Sequence, residues 1–216
     1  MSLYLSLLSI ILMLILISAY FIQSEHYKKK TRAIIAKALC TLIPVSLCLY
    51  GVTKTDTGGT KWFLFVGLCI CLVADVTIEI DFFSGMLVFM FAHFCFIDYF
   101  LSLAPPKWYS LLVFVLLYIC AVAGFMKFLP ALGKRAAAFL LYPAILITMF
   151  SLAVLLPFSL NNIGTVFIAV GAGLFAISDM ILGLNTLGKF SGIKARFVIY
   201  LYYSGIFLLS ASTFYM

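Results

Sequence analysis

Five ionisable residues lie within long apolar stretches of the sequence, where a charged side chain is costly. They are Lys37, Asp75, His93, Asp98 and Asp179. Where such stretches cross a membrane, ionisable side chains face the interior of the helix bundle and are candidates for a functional site. Asp75 and Asp179 could supply a general acid and a general base, with Lys37 and His93 as polar neighbours.

Each of these residues also has a simpler interpretation. Asp75 could form a structural ion pair with Lys37, and Asp179 could be a hydrogen-bonded packing group. His93 could be a core histidine, and Asp98, toward the opposite half of the bilayer, is interpreted as peripheral. Two intramembrane carboxylates are harder to explain as packing than one, so we favour a functional pair.

The residue types give little support for a metal site, a nucleophilic serine, a nucleotide-binding loop or cysteine chemistry. With only two histidines in the chain, a three-histidine zinc site is impossible. No Gly-x-Ser-x-Gly elbow, Walker loop or Rossmann loop occurs. A mixed metal site of Asp75, His93 and Asp179 stays open as a minor alternative, but no metal or other cofactor is expected. The cysteines lie within apolar stretches and are interpreted as packing residues; they are Cys40, Cys48, Cys69, Cys71, Cys95 and Cys120.

The two aspartates share a local motif. Gly67 and Asp75 are separated by seven residues, as are Gly171 and Asp179, and the two motifs lie 104 residues apart. They lie in the third and seventh predicted spans, an offset of four that restores the same orientation in the membrane. A parallel four-plus-four repeat is therefore an open alternative to coincidence, and the spacing predicts that both carboxylates lie at the same depth.

The composition identifies the chain as an integral membrane protein. Of its 216 residues 66% are hydrophobic and 10% are charged, and the mean hydropathy is +1.24. This excludes a soluble two-domain enzyme, a nucleic-acid-binding protein and a secreted disulfide scaffold. Short connections predict an all-α bundle, a single transmembrane helical domain over residues 1–216. Eight segments have the length of a spanning helix: roughly 3–22, 34–52, 62–80, 83–103, 108–128, 136–156, 163–184 and 196–215.

The basic residues predict the orientation of the bundle. Eleven of the 14 lysines and arginines lie after the first, fifth and seventh segments or at the start of the second. The positive-inside rule makes that side cytoplasmic and both termini non-cytoplasmic, in a cell membrane such as a bacterial inner membrane. The net charge of +7 is thus interpreted as a topology signal. The first segment is predicted to be a retained helix, because no charge precedes it and it lacks an Ala-x-Ala cleavage site.

Several polar residues are predicted to share one level of the membrane. Asp75 and Asp179 each lie five positions before the cytoplasmic end of their segment, and Glu79 follows Asp75 by one turn at the membrane surface. Other segments place polar residues in the same half: Lys37, His93, Tyr200 and Tyr203. We expect a single polar cavity that opens to the cytoplasm, with Glu79 at its rim.

Several stretches resemble the YhhN family of multi-pass membrane proteins. They are Gly67 to Phe100, with Gly85-x3-Phe89-x3-His93, then Gly171 to Asp179 with Asn185 downstream, and Tyr202-Tyr203. The resemblance extends from Lys37 to the last segment. It has departures: Ala38 stands where the family usually has Pro, Phe96 where it often has Tyr, and Ser204-Gly205 where it has Gln.

The family includes the lysoplasmalogenases, so the resemblance implies hydrolysis of the vinyl-ether bond of lysoplasmenyl-ethanolamine or -choline. The products would be a fatty aldehyde and glycerophospho-ethanolamine or -choline. Protonation of the vinyl carbon needs a carboxylic acid that stays uncharged near neutral pH, as burial favours, and a nearby carboxylate to stabilise the resulting cation.

On this interpretation Asp75 and Asp179 are the catalytic pair, and whichever lies nearer Lys37 is the ionised one. Lys37 and Arg196 are expected to hold the phosphate. The cavity residues expected to bind substrate are His93, Ser178, Asn185, Tyr200 and Tyr203. Besides this lysophospholipid, membrane lipids are expected as partners and nucleic acid is not, and the oligomeric state stays open. The alternatives are a small proton-coupled lipid or solute transporter and a non-enzymatic lipid-binding scaffold.

Overall fold

The computed structural model describes residues 3–27, 30–55, 58–133, 136–187 and 195–216, and every regular element in these ranges is a helix. The bounds are α1 (Leu3–Phe21, continued by a π-helical turn, Ile22–His26), α2 (Lys30–Thr55), α3 (Lys61–Ile80), α4 (Phe82–Leu103), α5 (Trp108–Phe125), α6 (Leu129–Leu132), α7 (Ala136–Ala153), α8 (Leu156–Leu160), α9 (Ile163–Thr186) and α10 (Ala195–Ser212).

Seven helical segments in the described part are long and apolar enough to cross a membrane. The apolar part of α10, Arg196–Ser212, is slightly shorter. The predicted all-α membrane fold is therefore confirmed. The chain is a multi-pass membrane protein.

The sixth predicted segment, 136–156, is divided in the structure. Helix α7 ends at Ala153, and α8 resumes at Leu156 with Pro157 in its first turn. Proline has no backbone N–H and fits the start of a helix better than its interior, which accounts for a new helix beginning here. Pro44 and Pro143, by contrast, lie within helices α2 and α7.

The turn between α3 and α4 is a single residue, Asp81, in extended conformation. Its side chain caps α4 by accepting a hydrogen bond from the Ser84 backbone N–H at 2.8 Å. Gly85 lets the two helices cross closely, because a Cβ there would lie 2.4 Å from the Ile78 Cα. This tight hairpin holds the end of α3, with Asp75, against the first turns of α4.

Helix packing is similar in the two halves of the chain. The most extensive contacts join α3 to α4 and α9 to α10, while α2 packs on α3 and α10 much as α7 packs on α9 and α4. Helices α1 and α5 lie at the periphery and bury little of their surface. This is the arrangement that a four-plus-four repeat would produce.

The motif glycines make different contacts in the two halves. A Cβ at Gly171 would lie 2.8 Å from the Gly205 carbonyl oxygen, so the α9 and α10 backbones touch directly. A Cβ at Gly67 would meet the ring of Phe96 at 2.4 Å. In each case the glycine brings a neighbouring helix against the one that carries the aspartate.

Candidate active site

Asp75 and Asp179 line one cavity of about 270 Å³, close to where α3 and α9 end and α2 and α10 begin. We call this the polar chamber. Its walls combine apolar side chains with polar ones: Tyr20, Lys37, Asp75, Glu79, Ser178, Asp179, Asn185 and Tyr202. The helices that were predicted to place polar groups at one level thus meet around a common space.

Asp75 is held by donors from two other helices. Its side chain is 2% exposed, and its Oδ2 accepts hydrogen bonds from the Thr41 hydroxyl of α2 and from the Tyr202 hydroxyl of α10 at 2.8 Å. The ammonium group of Lys37 lies 3.6 Å from its Oδ1. A nearby cation and hydroxyl donors all interact favourably with a charged carboxylate.

Lys37 is shared between two carboxylates. Its Nζ lies 3.0 Å from Glu79 Oε1, which also accepts a hydrogen bond from the Tyr20 hydroxyl at 3.0 Å. Glu79, predicted as a rim residue, is 23% exposed at its side chain and belongs to this buried charge cluster. A phosphate group would have to compete with both carboxylates for the Lys37 ammonium.

Asp179 has different neighbours. Its Oδ2 accepts a hydrogen bond from the Tyr142 hydroxyl of α7, and the His93 Nε2 of α4 lies 3.6 Å from the same oxygen. His93 Nε2 and the Tyr142 hydroxyl are 3.2 Å apart. The imidazole is fully buried, and its Nδ1 has no hydrogen-bond partner among the described residues.

The two carboxylates therefore occupy distinct environments: Asp75 lies next to a lysine, and Asp179 next to a phenol and an imidazole. When a general acid and a general base are the same type of residue, their surroundings must favour different protonation states. Among the described residues no cluster of His, Cys, Asp and Glu has the arrangement of a metal site.

Aromatic rings fill the space between the two centres. The ring of Phe175 lies edge-to-face with both Tyr202 and His93, with centroids 5.2 Å apart in each pair. Phe89 packs on Phe175 and Tyr202 at 6.0 and 5.8 Å. This apolar wall limits water around the carboxylates and fixes the orientation of Tyr202 and His93.

Among the remaining predicted site residues, two line the polar chamber. Ser178 does so while its hydroxyl donates to the Val198 carbonyl at 2.9 Å, a bond that ties α9 to α10. Asn185 lies one turn and a half beyond Asp179, and its Oδ1 is buried without a partner in the part of the chain that the structure describes.

The structure places the other four outside the chamber wall. His93 lies behind Tyr142 and Asp179, and Tyr203 donates to the Lys37 carbonyl at 3.0 Å. Tyr200 is 39% exposed on the side of α1. Arg196 is exposed, with its guanidinium 5.3 Å from the centre of the Phe21 ring.

The residues that contact the aspartates were only partly evident from the sequence. Thr41 follows Lys37 by four residues and so lies on the same helix face, a signal that could have identified it. Tyr142 carried no such signal beyond a hydroxyl in an apolar helix. Asp98, interpreted as peripheral, is exposed and lies outside the polar chamber.

Curated proteins and solved structures gave no match. The model of the YhhN family matches residues 33–213, which include every contact of the two aspartates described above. Because this match covers most of the 216 residues, the chain belongs to the YhhN family.

Proposed function

We propose that this protein is a membrane-embedded lysoplasmalogenase, which hydrolyses the vinyl-ether bond of lysoplasmenyl-ethanolamine or -choline. The observation that carries the proposal is the pair of carboxylates, Asp75 and Asp179, that line one chamber in different environments. Membership of the YhhN family is consistent with it. Helices α2 and α7 run continuously through Pro44 and Pro143, and the break between α7 and α8 lies outside the polar chamber, which argues against a transporter whose site is built on broken helices.

Asp179 is the proposed acid. No lysine or arginine of the described residues pairs with it, and its Oδ2 is occupied by the Tyr142 hydroxyl, which leaves Oδ1 to carry a proton toward the chamber. Transfer of that proton to the vinyl carbon remote from the ether oxygen yields an oxocarbenium ion. The burial of the site strengthens the interaction of this cation with a nearby carboxylate.

Asp75 is the proposed carboxylate partner, because Lys37 and two hydroxyl donors favour its ionised form. It stabilises the oxocarbenium ion and accepts a proton from the water that attacks it, giving a hemiacetal. Breakdown of the hemiacetal breaks the bond between carbon and the glycerol oxygen. That oxygen takes the proton held by Asp75 and leaves as a hydroxyl, and the hemiacetal hydroxyl gives its proton to Asp179 as the chain leaves as an aldehyde. Both carboxyl groups are thereby restored, and one water is consumed in all.

Glu79 is the proposed contact for the amine of the head group. Asp75 and Glu79 together outnumber the single charge of Lys37, so this end of the polar chamber suits a cation better than a second anion. This differs from the phosphate role expected for Lys37. In the proposal Lys37 instead pairs with both carboxylates and holds them in place.

The test is aldehyde release from lysoplasmenyl-ethanolamine by the purified protein in detergent. Asp75→Asn and Asp179→Asn are each expected to lower kcat by about 10²–10⁴-fold, the usual contribution of a general acid or base. Asp98→Asn is the matched control, because Asp98 is exposed and outside the chamber. Activity that survives both active-site changes in folded protein, or no aldehyde from folded wild type, would overturn the proposal.

A further inference from the structure

His93 lies at the end of a short row of polar groups that leads to Asp179. The face of α4 that carries it is otherwise aromatic, with Phe89 one turn before it and Phe96 one turn after it. The imidazole Nε2 is 3.2 Å from the Tyr142 hydroxyl, and that hydroxyl is bonded in turn to Asp179 Oδ2. Helices α4, α7 and α9 thus contribute one polar side chain each. We call these three residues the His–Tyr–Asp row.

We propose that His93 is held as the uncharged tautomer with its proton on Nε2, and that it positions Tyr142 as the hydrogen-bond donor to Asp179. The inference rests on the proposed function only for its effect on catalysis, where Asp179 is the acid. It gives His93 a positioning role in place of the substrate contact that the sequence predicted.

The protons along the row decide which nitrogen of His93 carries the hydrogen. A tyrosine hydroxyl has one proton, and Tyr142 donates it to Asp179 Oδ2. The Tyr142 oxygen can then only accept a hydrogen bond from His93, so the 3.2 Å contact requires a proton on Nε2. With the proton on Nδ1 instead, an unprotonated Nε2 would face an oxygen that has no proton left to donate.

The surroundings of Nδ1 disfavour a charged imidazolium. The imidazole is fully buried, and its Nδ1 has no hydrogen-bond partner among the residues that the structure describes. The rings of Phe175 and Phe96 lie 5.2 and 6.4 Å from the imidazole centre. In an imidazolium the Nδ1–H would be a buried donor of a charged group without an acceptor, which costs more than an unprotonated nitrogen at the same place.

An uncharged donor suits the acid role of Asp179. His93 Nε2 lies 3.6 Å from Asp179 Oδ2, close enough for a positive charge to favour the ionised carboxylate, as Lys37 does beside Asp75. The uncharged tautomer instead lets Asp179 keep its proton. Because His93 holds Tyr142 on Oδ2, the carboxyl group is fixed with Oδ1 left for that proton.

The first experiment observes the tautomer and needs no turnover. The chain has two histidines, His26 and His93, so purified protein with ¹⁵N-labelled histidine gives few imidazole signals, and those absent from His93→Gln belong to His93. At neutral pH we expect the chemical shift of an N–H at Nε2 and that of an unprotonated nitrogen at Nδ1, distinguished by their couplings to the ring C–H protons. N–H shifts at both nitrogens, or a proton on Nδ1, would overturn the inference.

The second experiment compares two amides at the same position. In His93→Gln the amide nitrogen stands about where the imidazole Nε2 stands and donates without a charge, whereas the shorter side chain of His93→Asn places its amide near the Nδ1 position. We expect kcat for aldehyde release to stay within about threefold of wild type in His93→Gln. In His93→Asn it should fall about tenfold, as for the loss of one hydrogen bond, with KM unchanged because the row lies behind the chamber wall. Equal losses of kcat in the two variants, both folded by their Tm, would overturn the positioning role.

A double variant tests whether His93 acts through Tyr142. His93→Asn and Tyr142→Phe interrupt the same row, so together they should lower kcat about as much as Tyr142→Phe alone. A loss equal to the product of the two single losses, about a hundredfold, would show that His93 acts independently of Tyr142 and would overturn the inference.

The outcomes separate this inference from the proposed function. An inactive wild type in which His93 carries its proton on Nε2 alone would overturn the hydrolase and support the tautomer inferred for the His–Tyr–Asp row. An active wild type with a charged imidazolium at His93 would overturn the inference and leave the hydrolase standing.

Discussion

Removal of the Lys37 charge is expected to destabilise the protein. The substitution Lys37→Met keeps a side chain of similar length but leaves Asp75 and Glu79 without their shared cation. Asp75 and Lys37 are 2% and 10% exposed at their side chains, so water cannot replace the lost charge. The variant should therefore carry a buried carboxylate without an ionic partner.

The size of the effect follows from the two distances. At 3.6 and 3.0 Å the attraction is roughly 5 kcal/mol per pair at an effective dielectric constant of about 20. Desolvation offsets part of this, and removal of one partner from a buried pair costs about 3–5 kcal/mol in practice. Glu79 is partly screened by its exposure, so we take about 3 kcal/mol, which corresponds to a decrease in Tm of about 6–12 °C.

Thermal unfolding of the detergent-purified variants measures this effect. Lys54→Met, an exposed position on the same helix, is the control and should change stability by less than about 0.5 kcal/mol. The double variant Lys37→Met with Asp75→Asn should regain roughly half of the loss, because an amide can accept the Thr41 and Tyr202 hydrogen bonds without a charge. A Tm for Lys37→Met equal to that of wild type, or a double variant no more stable than the single one, would refute the reasoning.

Three further predictions follow from individual contacts. Tyr142→Phe removes the hydroxyl bound to Asp179 and should lower kcat/KM for aldehyde release about tenfold. The control Tyr118→Phe loses a bond to the Leu140 carbonyl and should leave kcat/KM unchanged. Equal kcat/KM values for Tyr142→Phe and wild type would mean that the Asp179 contact has no role. Gly171→Leu places side-chain atoms against the Gly205 carbonyl and should lower the free energy of unfolding by about 1–3 kcal/mol, measured as a decrease in Tm. An unchanged Tm would show that α9 and α10 separate easily. Arg196→Gln should leave KM within about twofold of wild type, because this exposed side chain lies outside the polar chamber. A large increase in KM would instead support the contact between Arg196 and the substrate phosphate that the sequence predicted.

Features that depend on local sequence were predictable. The spans were evident because each requires only about 20 consecutive apolar residues. The boundary between the third and fourth spans was the hardest to place, and the polar residues around Asp81 gave its position. The common level of Asp75 and Asp179 also followed from counting along helices of known rise. The break between α7 and α8 was missed, although Pro157 marks it, because the surrounding residues are apolar throughout.

The rotation of each helix about its axis was decided by the tertiary structure. Tyr200, Tyr202 and Tyr203 lie within one turn of α10, yet Tyr202 binds Asp75 while Tyr200 faces α1 and Tyr203 binds the Lys37 carbonyl. In a soluble helix the contrast of polar and apolar faces would indicate which residue points inward. A helix in lipid is apolar on every side, so the inward face is set by close packing, such as that of Gly171 against Gly205.

The partners of the aspartates likewise come from helices distant in the sequence. Tyr142 and His93 reach Asp179 from α7 and α4, and Tyr202 reaches Asp75 from α10. The sequence alone determined that two carboxylates would be buried at the same depth in a helical bundle. Only the tertiary structure decided that one lies beside a lysine and the other beside a phenol and an imidazole, because a side chain's environment is set by which helices pack together.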